Sequence, residues 1–152
     1  MKPSIRKIAL AALILLPTLS FAAEHSGDAA EKPHKIVFQV VMDGPEKWEG
    51  AFRNVENVIK ELGAETTEIE VVAHSKGLGM LLAKTYAEHP EMKEKLDELH
   101  ANGVVFVACE NTMKRKGVEK KDLVEIATTV PSGVAEVVLK QEAGYSYIKA
   151  GD

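Results

Sequence analysis

The protein has 152 residues, of which 45% are hydrophobic and 28% charged, and this length and balance suit one globular domain. Its single cysteine excludes a small domain held together by internal disulfides. The net charge of −4, from 19 basic and 23 acidic residues, argues against a nucleic-acid binder, because phosphate recognition normally requires a basic surface.

The N-terminus has the three-part pattern of a secretory signal peptide. Lys2, Arg6 and Lys7 form a positively charged start, residues 8–16 form an unbroken apolar run, and residues 20–22 supply the small residues that a signal peptidase reads. The apolar run is too short for a transmembrane helix, which needs about 20 residues. We therefore expect a cleaved signal peptide at residues 1–22 rather than an uncleaved anchor.

The rest of the chain is expected to be an exported, soluble protein. Cleavage after Ala22 removes three of the 19 basic residues, which leaves 16 against 23 acidic residues and a net charge of −7. Residues 23–34 are polar and aperiodic, so they are predicted to form a flexible tail before a folded domain at 35–150. We expect a periplasmic or secreted location, with no stable membrane insertion and no nucleic-acid partner.

From residue 35 onward, segments typical of strands and helices alternate. Five short runs of β-branched and apolar residues predict strands, at 35–42, 67–74, 104–108, 128–130 and 145–149. Apolar residues spaced three and four apart predict helices at 48–62, 78–90, 92–99, 111–116 and 133–141, with one more helical turn at 122–127. This alternation predicts an α/β fold, with an open, mostly parallel five-stranded sheet and helices on both faces. Ligands of such folds bind beyond the carboxyl ends of the strands.

Cys109 is the strongest candidate for chemistry at those strand ends. It follows an apolar strand and precedes a short helix, where backbone N–H groups and the helix dipole stabilise a thiolate. Three basic residues, Lys114, Arg115 and Lys116, follow closely and add positive charge. The alternative is a packing role, because free cysteines are often simply buried. An exported free thiol must be buried, capped, paired with another chain or used in a reaction.

The turn after the second predicted strand is the next candidate. His74 is a potential proton carrier or partner for Cys109, because the ends of adjacent parallel strands lie together; the alternative is a histidine that only forms structural hydrogen bonds. Gly77 and Gly79 allow the backbone to approach an anion. The dinucleotide-binding fingerprint needs a third glycine where this chain has Leu82, so no nucleotide cofactor is predicted.

Metal and hydrolase sites are not indicated. The five histidines show no paired ligand spacing, so no metal is predicted. Ser75 and Ser132 lack the nucleophile-elbow sequence of a serine hydrolase.

Four segments of the chain together resemble the DsrE/DsrF-like family: KIVFQV at 35–40, IEVVAHSKGLGML at 69–81, GVVFVACENTMKRKGV at 103–118 and SGVAEVVLKQEAGYSYIK at 132–149. The resemblance implies a flavodoxin-like sheet, a homo-oligomer and, as in the characterised branch, sulfur relay. In that branch a cysteine at this strand end accepts a persulfide, and Cys109 occupies its position.

Two functional hypotheses follow. In the first, the protein is an exported sulfur carrier in which Cys109 takes sulfane sulfur from a donor protein or a small sulfur compound. The pocket around this cysteine would be formed by His74, Lys76, Gly77, Gly79, Asn111, Thr112 and Arg115. In the second, it is a non-enzymatic oligomeric protein that binds a small ligand or serves as a scaffold, and Cys109 is structural. Exposure of the thiol distinguishes them, because a relay thiol must be reachable.

Overall fold

The computed structural model describes residues 34–151, so the predicted signal peptide and residues 23–33 of the predicted tail lie outside the described range. Five strands are present, β1 (His34–Val40), β2 (Thr67–Ala73), β3 (Val105–Cys109), β4 (Ala127–Val130) and β5 (Ser146–Ala150). Five α-helices lie between them, α1 (Pro45–Leu62), α2 (Ala83–Glu88), α3 (Pro90–Ala101), α4 (Glu110–Lys116) and α5 (Gly133–Glu142). Within this range no helix has the length and hydrophobicity that a membrane span requires.

The strands form one sheet in the order β4-β3-β2-β1-β5, and every neighbouring pair is parallel. The predicted α/β architecture is confirmed, including the edge position of the last strand. In the centre of the sheet Ala73 of β2 pairs with Ala108 of β3, and at the next strand Cys109 pairs with Val130 of β4. The ends of β2, β3 and β4 therefore bring their following residues to one edge of the sheet.

The two faces of the sheet are covered differently. Alternate residues of each strand point to opposite faces, so Phe38 lies in a large core with α1, α2, α3 and α4, whereas Val37 lies in a small cluster. The large core includes an edge-to-face pair, Phe52 and Phe106, with ring centroids 6.3 Å apart. The small cluster joins Val37 to four other buried residues, Val72, Val107, Val137 and Tyr145, of which Val137 comes from α5.

The prediction of one continuous helix over residues 78–90 is wrong. Ser75–Leu81 form a 3₁₀ helix, Leu82 is extended with φ −85° and ψ 131°, and α2 begins after it. The cause is a tertiary contact, because Leu82 forms an antiparallel bridge with Leu123. A backbone that pairs with a distant segment cannot also continue the helical hydrogen-bond pattern, and local periodicity does not reveal such a contact.

The prediction of a helical turn at 122–127 is also wrong. A short 3₁₀ helix spans Lys120–Asp122 instead, and its capping box includes a 2.9 Å hydrogen bond from the Glu119 N–H to the Asp122 carboxylate. The chain then becomes extended at Leu123, where it pairs with Leu82.

Helix α5 forms as predicted, but its apolar stripe is mostly uncovered. Val137 is buried in the small cluster, whereas Val134 and Val138 are 57% and 47% exposed. This helix therefore presents apolar surface on the side away from the sheet.

Candidate functional site

Cys109 lies where the sequence predicts, as the last residue of β3 and the N-cap residue of α4. Its neighbours in space are the first turn of α4 and the first residue of α5, Gly133. The cysteine is only 5% exposed and forms no disulfide. The thiol is therefore held at the sheet edge beneath the start of α5.

Hydrogen-bond donors converge on the sulfur of Cys109. Burial raises the pKa of the thiol, but the backbone N–H groups of Gly133, Thr112 and Asn111, together with the Thr112 hydroxyl, outweigh it and hold the pKa below its usual value. Each of these donors stabilises a negatively charged sulfur more than a neutral one. The arrangement can thus keep a thiolate without a cationic side chain in contact with it.

Gly133 is a site residue that is not among the predicted pocket residues, although it lies at one of the predicted strand ends. A Cβ atom at this position would lie 3.1 Å from Cys109 Cβ, 3.2 Å from Val72 Cγ1 and 3.3 Å from His74 Cβ. Only glycine lets the first turn of α5 come close enough for its N–H to reach the thiol. The available signal was the Pro-Ser-Gly helix start after a strand, in which Ser132 caps α5.

His74 lies beside Cys109 at the end of β2, but its ring is bonded elsewhere. Nε2 is 2.8 Å from Gln39 Nε2 and Nδ1 is 3.1 Å from Ser75 Oγ. His74 as a residue is 9% exposed, and burial, followed by the positive charge of Arg115, lowers its pKa. His74 is therefore neutral at neutral pH, and its proposed service as a proton carrier to Cys109 stays a prediction.

The two glycines of the predicted pocket lie against the protein interior. A Cβ on Gly77 would lie 2.1 Å from the carbonyl oxygen of Val40, and one on Gly79 would lie 2.6 Å from the Trp48 ring. Both glycines are thus required for the 3₁₀ helix to pack on β1 and α1. Lys76, which precedes both glycines in the chain, is exposed.

The remaining predicted site residues divide by exposure. Thr112 is buried, with 3% exposure, and contacts the thiol, whereas the side chain of Asn111 is exposed and only its backbone N–H reaches the sulfur. Arg115 is exposed but close enough to His74 to influence its titration. Two residues that the sequence analysis missed, Gln39 and Tyr147, contribute hydrogen bonds near this site, as does Ser75, which it considered only as a hydrolase nucleophile.

Two cavities in the described part of the chain lie away from the thiol. One, of about 390 Å³, is lined at the far end of α4 by residues that include Lys84, Lys116 and Lys121. Another, of about 400 Å³, lies beside Tyr86 and Leu123. Within residues 34–151 no three His, Cys, Asp or Glu side chains are grouped so that they could hold a metal ion.

Comparison with known proteins adds a family and a solved relative. The model of the DsrE/DsrF-like family matches residues 35–150. A solved structure of a protein of unknown function, MTH1491 from Methanobacterium thermoautotrophicum, is 33% identical, with a TM-score of 0.67, over 76% of this chain and 98% of that chain. Among curated proteins no match was found.

Proposed function

Because this chain belongs to the DsrE/DsrF-like family, we propose that it relays sulfane sulfur and that Cys109 carries the sulfur as a persulfide. The family suggests sulfur relay at a general level, and the site supplies the specific residue. The observation that carries the proposal is the set of donors from Gly133, Thr112 and Asn111 that lowers the thiol pKa in a buried position. A thiol that only fills space has no need of such donors.

The proposed step is a thiolate attack on sulfane sulfur. The Cys109 thiolate attacks the outer sulfur of a persulfide, R–S–SH, a new S–S bond forms, and the S–S bond of the donor breaks to release R–S⁻. The cysteine becomes Cys–S–SH, and no external oxidant or reductant is consumed. Transfer to an acceptor thiolate is the same step in reverse.

The donors around the sulfur suit both forms of the carrier. A persulfide anion places its charge one atom further out than a thiolate, so donors from two helices can follow the charge. Thr112 and Asn111 approach from α4, and Gly133 approaches from α5. The nearby positive charge of Arg115 attracts an anionic donor to this edge of the sheet.

We also propose that the relay operates outside the cytoplasm. The support is the signal-peptide pattern at residues 1–22, with its basic start and its apolar run. An exported sulfur carrier keeps its single cysteine from oxidation most easily when the thiol is buried, as Cys109 is.

A homo-oligomer is proposed on a separate observation. Several large apolar side chains on the α5 side of the sheet are exposed, Val105, Val134, Val138, Leu139 and Tyr147. Such a patch on a small domain commonly marks a protein contact. The proposed occupant is a second copy of this chain, which would cover α5 next to the thiol.

The alternative function is a non-enzymatic scaffold or small-ligand-binding protein with a structural cysteine. The observation that favours it is the 5% exposure of Cys109, because a relay thiol must be reachable. On this reading the donors around the sulfur only satisfy a buried polar contact. The two readings therefore differ in whether the native thiol reacts.

Intact-mass spectrometry of the purified protein, before and after incubation with a small persulfide, tests the proposal. We expect the addition of one sulfur atom, its loss on treatment with a thiol acceptor, and no addition in Cys109→Ser. A Cys109→Ser protein that still gains sulfur would overturn the assignment to this residue. A wild-type mass that stays unchanged, with a thiol that is alkylated only after denaturation, would establish the structural reading.

A further inference from the structure

A continuous chain of hydrogen bonds connects the edge strand β5 with a donor of the thiol. The Tyr147 hydroxyl donates to Gln39 Oε1 over 2.6 Å, and Gln39 Nε2 lies 2.8 Å from His74 Nε2. His74 Nδ1 lies 3.1 Å from Ser75 Oγ, and the Ser75 N–H donates to Thr112 Oγ1 over 3.1 Å. The hydrogen bonds connect residues of β1, β5 and α4 with His74 and Ser75, which follow β2.

The orientation of the Gln39 amide in the structure sets the direction of the links on either side of it. Because the Tyr147 hydroxyl donates to the amide oxygen of Gln39, the amide nitrogen of Gln39 faces His74. That nitrogen carries only donors, so His74 Nε2 must be the acceptor and cannot hold a proton. A neutral ring then carries its proton on Nδ1, which donates to Ser75 Oγ.

The backbone N–H of Ser75 connects the ordered His74 ring with a hydrogen-bond donor of the thiol. Its φ of 55° is the one positive φ of a non-glycine residue in the part of the chain that the structure describes. Such a conformation is uncommon for residues that carry a Cβ atom and persists where the surroundings require it. Here it aims the Ser75 N–H at Thr112 Oγ1, which leaves the Thr112 hydroxyl proton to donate to the sulfur of Cys109.

We propose that Gln39 and Tyr147 are positioning residues of this site, which hold His74 as the neutral Nδ1–H tautomer and thereby orient Ser75 and the Thr112 hydroxyl toward Cys109. The inference rests on the proposed role of Cys109 in sulfur relay. It assigns His74 an orienting role instead of a proton-carrying one, because both ring nitrogens are occupied by Gln39 and Ser75.

Nitrogen-15 NMR of the histidine rings of the full-length protein tests the tautomer, without any sulfur donor. We expect the His74 resonances, assigned by their loss in His74→Gln, to show a protonated Nδ1 and an unprotonated Nε2 at neutral pH. In Gln39→Glu the facing group can only accept, so Nε2 gains a proton. In Gln39→Leu the fixed donor is lost, and the ring is expected to exchange between both tautomers.

The second readout is the pH midpoint of thiolate formation, followed by ultraviolet absorbance and by the alkylation rate of Cys109. We expect the midpoint to rise in Gln39→Leu and, by less, in Tyr147→Phe. An upward shift of one pH unit lowers the thiolate fraction below the midpoint about tenfold. Tyr145→Phe is the matched control, because the Tyr145 hydroxyl on the same face donates to Glu68 and not to Gln39.

The outcomes separate this inference from the proposed function. A wild-type His74 protonated on Nε2, or a Gln39→Leu protein in which both His74 and the thiolate midpoint are unchanged, would overturn the positioning role. Because Tyr147 is 43% exposed, Tyr147→Phe is expected to fold and keeps the test valid if Gln39→Leu does not. If the variants move the tautomer and the midpoint but wild-type protein never accepts sulfur, the positioning role stands and the relay fails.

Discussion

The two faces of the sheet differ in the chemistry of their side chains and in the number of helices that pack on them. One face packs four helices over a large apolar core, in which Phe38, Phe52 and Phe106 are fully or almost fully buried. The other face has the single helix α5 and a cluster of five buried residues. The first face supplies the apolar burial that stabilises a domain of this size. The second face therefore does not need to consist of apolar residues alone.

Polar groups on the α5 face are buried at a cost in free energy. Glu70 is 6% exposed and pairs with Lys140 over 2.7 Å, while its second carboxylate oxygen has no hydrogen-bond partner among the described residues. Burial raises the pKa of Glu70 although Lys140 opposes the rise. The hydrogen-bond chain that begins at Tyr147 lies on the same face. Buried polar groups of this kind specify geometry more than they add stability.

The contrast teaches that most apolar burial lies on one side of the sheet and the proposed chemistry on the other, while α4 packs in the large core and also supplies donors to Cys109. Changes in the apolar face away from α4 should cost unfolding free energy and leave the pKa of the thiol unchanged, because the donors of Cys109 come from the first turns of α4 and α5. Changes in the α5 face should alter thiol chemistry at a smaller cost in stability. The following predictions test this division, from the largest expected change in free energy to the smallest.

Phe52→Ala removes a ring that is 1% exposed and packs edge-to-face on Phe106. We expect the free energy of unfolding to fall by about 3–5 kcal/mol, because a large cavity remains. Denaturant titration measures the loss, and the thiolate midpoint of the folded fraction should be unchanged. A loss below about 1 kcal/mol would contradict the assignment of stability to this face.

Gly133→Ala places a methyl group against Cys109, Val72 and His74. We expect a loss of about 1–3 kcal/mol from overpacking and an upward shift of the thiolate midpoint, because the Gly133 N–H moves away from the sulfur. The matched control is Gly50→Ala, since a Cβ there meets nothing closer than 3.7 Å. That control should stabilise the protein by about 0.4–1 kcal/mol. Equal midpoints in the two variants would remove Gly133 from the site.

His74 makes stability depend on pH. Its folded-state pKa is lowered from 6.5, so the unfolded chain binds the proton first as the pH falls. The stabilising contribution is therefore present above pH 6.5 and is lost as the pH falls below it, by at most about 1.4 kcal/mol per pH unit. Urea titrations at several pH values measure the slope, and His74→Gln should reduce it. If the unfolding free energy of wild type instead rises as the pH falls, relative to that of His74→Gln, the His74 ring is charged in the folded state.

Much of this division could be predicted from the sequence, but unevenly. Strand and helix periodicity is local, so it predicted the parallel sheet, and the apolar strand before Cys109 predicted the placement of the thiol. Thr112 lies three residues after Cys109 and was predicted, together with it, as a residue of the site. Gln39 and Tyr147 are 108 residues apart in the chain and meet only because β1 and β5 are neighbours. The Leu82–Leu123 bridge at the end of the 3₁₀ helix could not be predicted either, because these two residues are also distant in the chain.

Val138→Lys has the smallest expected effect on the fold and the largest on association. Val138 is 47% exposed on α5, so its substitution should change the unfolding free energy of a protomer by no more than about 0.5 kcal/mol. A charge placed in a self-association surface must be desolvated, so we expect the proposed homo-oligomer to dissociate in analytical ultracentrifugation. The control is Leu62→Lys, because Leu62 is 42% exposed but belongs to α1 on the other face of the sheet. If both variants associate as wild type does, α5 is not the contact between copies. If only Val138→Lys dissociates and the thiol then alkylates faster, the second copy shields Cys109, and the side of the sheet that carries the chemistry is also the side that assembles.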